Sequence, residues 1–179
     1  MWNLKVFDLD LLNIFYNFVI YSFIGWIYES LYVSMNKKTW VNRGFLNGPI
    51  IPIYGAGATL IYMALWQYRK QYLLVFVGGM ILATLLEYVT SFFMELFFHA
   101  KWWDYSDFKF NINGRVCLPV SLFWGLLSIL LIELIQPRMV KLIEAIPETP
   151  GEYAGYVILL LILTDTSITI VHTLQLDRI

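Results

Sequence analysis

The stretch YLLVFVGGMILATLLEYVTSFFMELFF, Tyr72 to Phe98, decides how the rest of the chain is read. It is apolar nearly throughout, and its only formal charges are Glu87 and Glu95. A surface helix of a soluble protein keeps one polar half, and this stretch has none. As an α-helix it would be roughly 40 Å long, more than the ~30 Å hydrocarbon core of a bilayer. Thr84, Glu87, Ser91 and Glu95 follow at spacings of three, four and four, which puts them in one polar stripe on an apolar cylinder. The stretch therefore predicts a membrane-spanning helix with one polar edge.

Composition extends that reading to the whole chain. Of 179 residues 59% are hydrophobic, 18% aromatic and 14% charged, where soluble domains carry about 25% charged residues. Twelve Lys/Arg and thirteen Asp/Glu are too few to coat a soluble core of this size. A net charge of -1 gives no electrostatic footprint for nucleic acid. The single cysteine, Cys117, excludes an internal disulfide and any multi-cysteine zinc site. The first apolar run follows Asp8 and Asp10 rather than a basic region, so it reads as a retained helix and not a cleaved leader.

Five spans are expected in one transmembrane domain covering 1–179: about 10–35, 49–67, 72–98, 116–135 and 153–174. The class is all-α, polytopic. Asn13, Asn17, Gly25 and Glu29 share a face of the first helix. The run from Gly44 to Gly55 holds Gly48, Pro49 and Pro52 as well, and cannot be helical throughout, since proline removes a backbone donor and opposes the preceding turn. Pro137 is expected to end the fourth helix, and 138–152 to form a short surface-lying piece. Lys5, Arg69, Lys70, Arg138 and Lys141 fall on one side, and Lys37, Lys38, Arg43, Lys101, Lys109, Arg115 and Arg178 on the other. With Arg43 and Arg115 taken into the membrane the sides balance, and the short basic turn at 68–71 tilts the N-terminus inward.

A weak internal repeat accompanies this order. At an offset of seventy, Gly44 matches Gly114, Pro49 matches Pro119, and Tyr54-Gly55 matches Trp124-Gly125. Each match follows a glutamate-bearing helix and a tryptophan-containing loop. The pattern describes two helix pairs plus one extra helix.

Glu29, Glu87, Glu95 and Asp165 fall in or near spans, where each would cost about 2.5–3.5 kcal/mol at a helix centre. Arg43 and Arg115 open the second and fourth helices and are the natural counter-charges, since a guanidinium can hold a carboxylate through two donors. The expected solute or coupling site comprises Glu29, Arg43, Asn47, Tyr54, Glu87, Ser91, Arg115 and Trp124. The competing reading is that these pairs only lock helices together. Asp165 and His172 share a face of the last helix and form a candidate proton relay, set against an ordinary interfacial histidine. Histidine spacing offers no metal site, no Gly-x-Ser-x-Gly nucleophile motif is present, and the absence of a P-loop means that any ATP hydrolysis belongs to a partner. No cofactor is expected.

Gly25-Trp26-Ile27-Tyr28-Glu29-Ser30, the run Arg43 to Gly55, Leu86-Glu87-Tyr88, the 102–106 loop and Gly114-Arg115-Val116-Cys117-Leu118 together resemble the ABC-transporter type IV family of bacterial and archaeal membrane proteins. The likeness covers roughly 10–135. It implies a permease-like, multi-pass protein of the cell membrane working with a separate ATPase subunit. The expected ligand is a polar or charged small molecule or a lipid head group, and homo-oligomers are compatible with it. Two other functions compete: a membrane-embedded enzyme on a lipid or prenyl head group, with Glu87 or Glu95 as acid or base, and a non-catalytic assembly subunit.

Overall fold

The computed structural model describes Trp2, Lys5, Val6 and residues 9–176; Asp8 and Arg178, counted above, lie outside the described residues. Two short strands, β1 (Lys5–Val6) and β2 (Leu9–Asp10), pair antiparallel and lead into α1 (Leu11–Lys37). There follow α2 (Pro52–Leu65) with a 3-10 turn at Trp66–Tyr68, α3 (Tyr72–Phe98), a hairpin of β3 (Asn111–Ile112) and β4 (Val116–Cys117), α4 (Leu118–Leu130), α5 (Gln136–Glu144) and α6 (Glu148–Leu176). The fold is all-α apart from these two-residue strands.

Among the described residues, four stretches are long and apolar enough to cross a membrane: Leu11–Lys37, Tyr72–Phe98, Leu118–Glu144 and Glu148–Gln175. The fifth expected span is shorter than the sequence suggested. Gly48, Pro49 and Pro52 keep 49–51 out of the helix, and α2 has 14 residues, about 21 Å at 1.5 Å per residue.

Pro137 does not end the fourth helix. A π-helical turn at Leu131–Ile135 joins α4 to α5, with Pro137 in the first turn of α5. A widened turn of this kind makes room for a residue that lacks an N–H and crowds the carbonyl four positions earlier. The last helix also begins earlier than expected, because Pro150 sits in its first turn, where a missing N–H costs nothing.

The chain divides into two compact units, Met1–Thr59 with Met139–Ile179, and Leu60–Arg138. In the first, Gly25 lies against the Tyr54 ring, and Gly55 lies against the Phe18 carbonyl and the Ser22 hydroxyl, so α1 and the start of α2 meet backbone to backbone. Tyr16 Oη donates to the Gly151 carbonyl at 2.7 Å, tying α1 to the start of α6. In the second unit, Gly79 lies against Ser128, Gly125 lies against Phe76, and Thr84 Oγ1 donates to Ser121 Oγ at 2.8 Å across α3 and α4. Lipid gives apolar side chains no reason to prefer each other, so close approach at small residues and buried hydroxyl bonds hold such helices together.

Candidate functional site

In the first unit the chain turns back at the left-handed Lys38 (φ 54°) and runs antiparallel along α1. Val41 N–H donates to Ser34 Oγ at 2.9 Å, and Arg43 N–H donates to Ser30 Oγ at 3.2 Å. Trp26 Nε1 donates to Asn42 Oδ1, and Ile51 N–H donates to the Ser22 carbonyl at 3.0 Å. Ser22, Trp26, Ser30 and Ser34 recur every four residues, one face of α1, and supply hydrogen-bond partners for a segment without its own ladder.

That segment brings Arg43 and Tyr54 to Glu29. Arg43 Nε lies 3.4 Å from Glu29 Oε2, and Tyr54 Oη donates to Glu29 Oε1 at 2.9 Å. Side-chain exposures of 42% for Arg43 and 30% for Glu29 leave the pair open on one side. Lower in the segment, Asp165 of α6 accepts from Asn47 N–H at 3.2 Å and Asn47 Nδ2 at 3.0 Å on one oxygen, and from Gly48 N–H at 2.8 Å on the other. Asn47 Nδ2 also donates to Thr169 Oγ1 at 2.8 Å. The Asp165 carboxylate thus serves as partner for the backbone at the Gly-Pro break. His172 is exposed on α6 and takes no part in this set.

In the second unit Glu87 is 6% exposed. Its carboxylate accepts from Tyr105 Oη at 2.9 Å and from Trp124 Nε1 at 3.2 Å. Ser91 is buried one turn further along α3. Arg115 pairs with Glu95 rather than Glu87: Nη2 lies 2.6 Å from Glu95 Oε2, and the guanidinium sits 5.5 Å from the Tyr88 and Phe92 ring centres. Its Nε is buried with no hydrogen-bond partner among the described residues. Trp103 Nε1 donates to the Arg115 carbonyl at 2.9 Å, closing the 99–115 loop on itself, and Asn113 Nδ2 donates to Tyr88 Oη at 2.9 Å, which with the Tyr105–Glu87 and Arg115–Glu95 bonds ties the loop to α3. At that loop's surface the Ser106 hydroxyl and N–H and the Lys101 ammonium hold the Asp104 carboxyl down at about 2.

The eight expected site residues therefore fall into two sets, Glu29, Arg43, Asn47 and Tyr54 in one unit, and Glu87, Ser91, Arg115 and Trp124 in the other. Tyr105, Glu95, Asn42, Thr169 and the serine row of α1 join them. The serine spacing was readable from the sequence, whereas the reach of Tyr105 back to Glu87 has no local signature. Among the described residues, no three His, Cys, Asp or Glu side chains converge as metal ligands.

Four long apolar helical stretches among the described residues mark a multi-pass α-helical membrane protein. Residues 16–170 match the model of the family described as "Putative ABC-transporter type IV", and the chain belongs to that family. No curated protein and no solved structure matches it.

Proposed function

We propose that the protein is the membrane-embedded, permease-like component of a transporter for a polar or charged solute, with its acids and arginines lining the solute or coupling site. A separate ATPase subunit supplies the nucleotide hydrolysis for which this chain carries no P-loop.

The observation that carries this reading is a recurring arrangement. In the first unit Glu29 accepts from the Tyr54 side chain, and the adjacent Gly55 lies on the Phe18 carbonyl. In the second unit Glu87 accepts from the Trp124 side chain, and the adjacent Gly125 lies on the Phe76 carbonyl. Phe18 and Glu29 stand fifty-eight residues before Phe76 and Glu87, while Tyr54-Gly55 stands seventy before Trp124-Gly125. Such agreement supports a duplicated helix pair plus one extra helix, with α2 and its irregular lead as the fifth crossing. Repeats of this kind are a common way to build transporter sites near mid-membrane. The two carboxylates differ in compensation, since Glu29 has Arg43 beside it while Glu87 is held by two neutral donors. The second is suited to a coupling role and the first to fixing geometry.

The test is purification from native membranes in mild detergent with native mass spectrometry, followed by reconstitution. An ATPase subunit should copurify, and vesicles should show ATP-dependent solute flux that Glu87→Gln and Arg43→Gln abolish while the protein stays folded. Full activity in both variants would overturn the site assignment.

A further inference from the structure

We propose that residues 38–51 form the non-helical first half of a membrane crossing that α2 completes, and that the polar edge of this half bounds a water-filled vestibule, open at the C-terminal end of α1 and reaching about half-way through the bilayer. It deepens the transport reading, resting on it only for the role of admitting a polar solute to Glu29 and Asp165.

Two helices give the depth independently. At 27 residues, α1 is roughly 40 Å long and, centred on a ~30 Å hydrocarbon core, extends about 5 Å past each boundary. Ser34, Ser30, Glu29 and Ser22 lie roughly 4, 10, 12 and 22 Å before its end. The partners of the segment follow that order: Val41 on Ser34, Arg43 on Ser30 and Glu29, and Ile51 on Ser22. Ile51 therefore sits about 17 Å below the boundary, at mid-membrane. The second measure is α6, where Asp165 lies near the middle of the span Glu148–Gln175 and binds Asn47 and Gly48.

Most of what the segment exposes on its way to that depth is polar. Asn42, Asn47 and Pro49 are exposed, and the Arg43 side chain is 42% exposed. Acyl chains cannot satisfy amides or a guanidinium, and non-helical backbone within the hydrocarbon region persists only inside protein or beside water. The same stretch of α1 presents a contrasting side, with Phe23 42%, Ile24 41%, Ile27 37% and Leu31 49% exposed, an apolar set suited to lipid. One helix thus separates a lipid face from a water face.

The test is cysteine reactivity in sealed proteoliposomes with a charged, membrane-impermeant methanethiosulfonate. Cys117, 1% exposed, makes the unsubstituted chain the blank. Asn47→Cys and Pro49→Cys should react at least tenfold faster than Ile24→Cys and Ile27→Cys, and from one side only. Pro49 carries no side-chain hydrogen bond, so its variant answers for any loosening caused by losing the Asn47 amide. Reaction of Pro49→Cys as slow as that of Ile24→Cys, in protein whose Cys117 stays protected, would overturn the vestibule, and so would equal reaction from both sides. One-sided fast labelling in vesicles that hold the protein with its copurified ATPase and ATP, yet show no solute flux, would leave the vestibule standing and sink the transport reading.

Discussion

Replacing Arg115 by alanine should destabilise the second unit by about 2.5–5 kcal/mol, and the structure indicates how that figure divides. The Nη2 bond to Glu95, at 2.6 Å, is a hydrogen bond between charged groups, worth roughly 1.5–3 kcal/mol. Contacts at 5.5 Å over Tyr88 and Phe92 add about 0.5–1 kcal/mol each. Stranding a buried charge costs about 3–5 kcal/mol, but Glu95, at 36% side-chain exposure, can take up water, so no such penalty is added. Glu95→Gln should cost less, about 1–2 kcal/mol, because the arginine keeps its ring contacts and an amide acceptor. The double variant should then cost about 1 kcal/mol or more less than the sum of the singles. The assay is denaturation in mixed micelles of dodecylmaltoside and increasing SDS, followed by maleimide capture of Cys117, which is 1% exposed in the folded protein and two residues from Arg115. A coupling below about 0.5 kcal/mol, the usual additivity limit for independent sites, would refute the idea that this pair fixes the loop to α3. Arg115→Lys should recover little, since a lysine can neither stack flat nor offer a fork of donors.

Gly55→Ala should cost about 1–3 kcal/mol by overpacking, because its Cβ would meet the Phe18 carbonyl, which is backbone and cannot rotate aside. Gly151→Ala, whose Cβ meets a methyl of Ile146 at 2.9 Å, should be milder in the same titration, and a reversed order would reject the close α1–α2 approach. Tyr105→Phe removes one of the two donors to the buried Glu87 carboxylate and should lower stability by about 1–3 kcal/mol; an unchanged midpoint would mean that the loop is not held there. For Asp104, held at about 2 against an ordinary value near 4, the folded loop binds its proton later than the unfolded loop does. Its stabilising contribution should be complete above pH ~4 and fade as pH falls through 2, read from Trp102 and Trp103 emission; a transition finished above pH 4 would contradict this.

The spans were legible wherever apolar length alone decides. The stretch 72–98 agrees end to end with α3, and the glutamate stripe on it is where spacing placed it. Prolines were harder to read, since their effect depends on what the neighbouring turn can do. Pro52 starts a helix, Pro137 is absorbed by a π turn, and Pro150 is accommodated in a first turn. Ion pairing was legible as residue type and not as partner. Arg115 and Glu87 both belong to the second unit, yet the arginine meets Glu95, and Tyr105 reaches Glu87 through the 99–115 loop. Helix spacing gives the face a residue occupies, whereas loop geometry selects among the acids on that face.

The bonds from Asn47 and Gly48 to Asp165 join residues 118 and 117 positions apart. At synthesis rates of about 5–20 residues per second, roughly 6–24 s pass between the emergence of the Gly-Pro break and that of its acidic partner. Residues 60–138, by contrast, form a contiguous unit, and the side-chain bonds described above among α3, the 99–115 loop and α4 lie within it. Biogenesis of this protein therefore has an order written into it: the central unit can assemble while α6 is still being made, and the broken segment must be sheltered by the insertion machinery or by water until the last helix arrives.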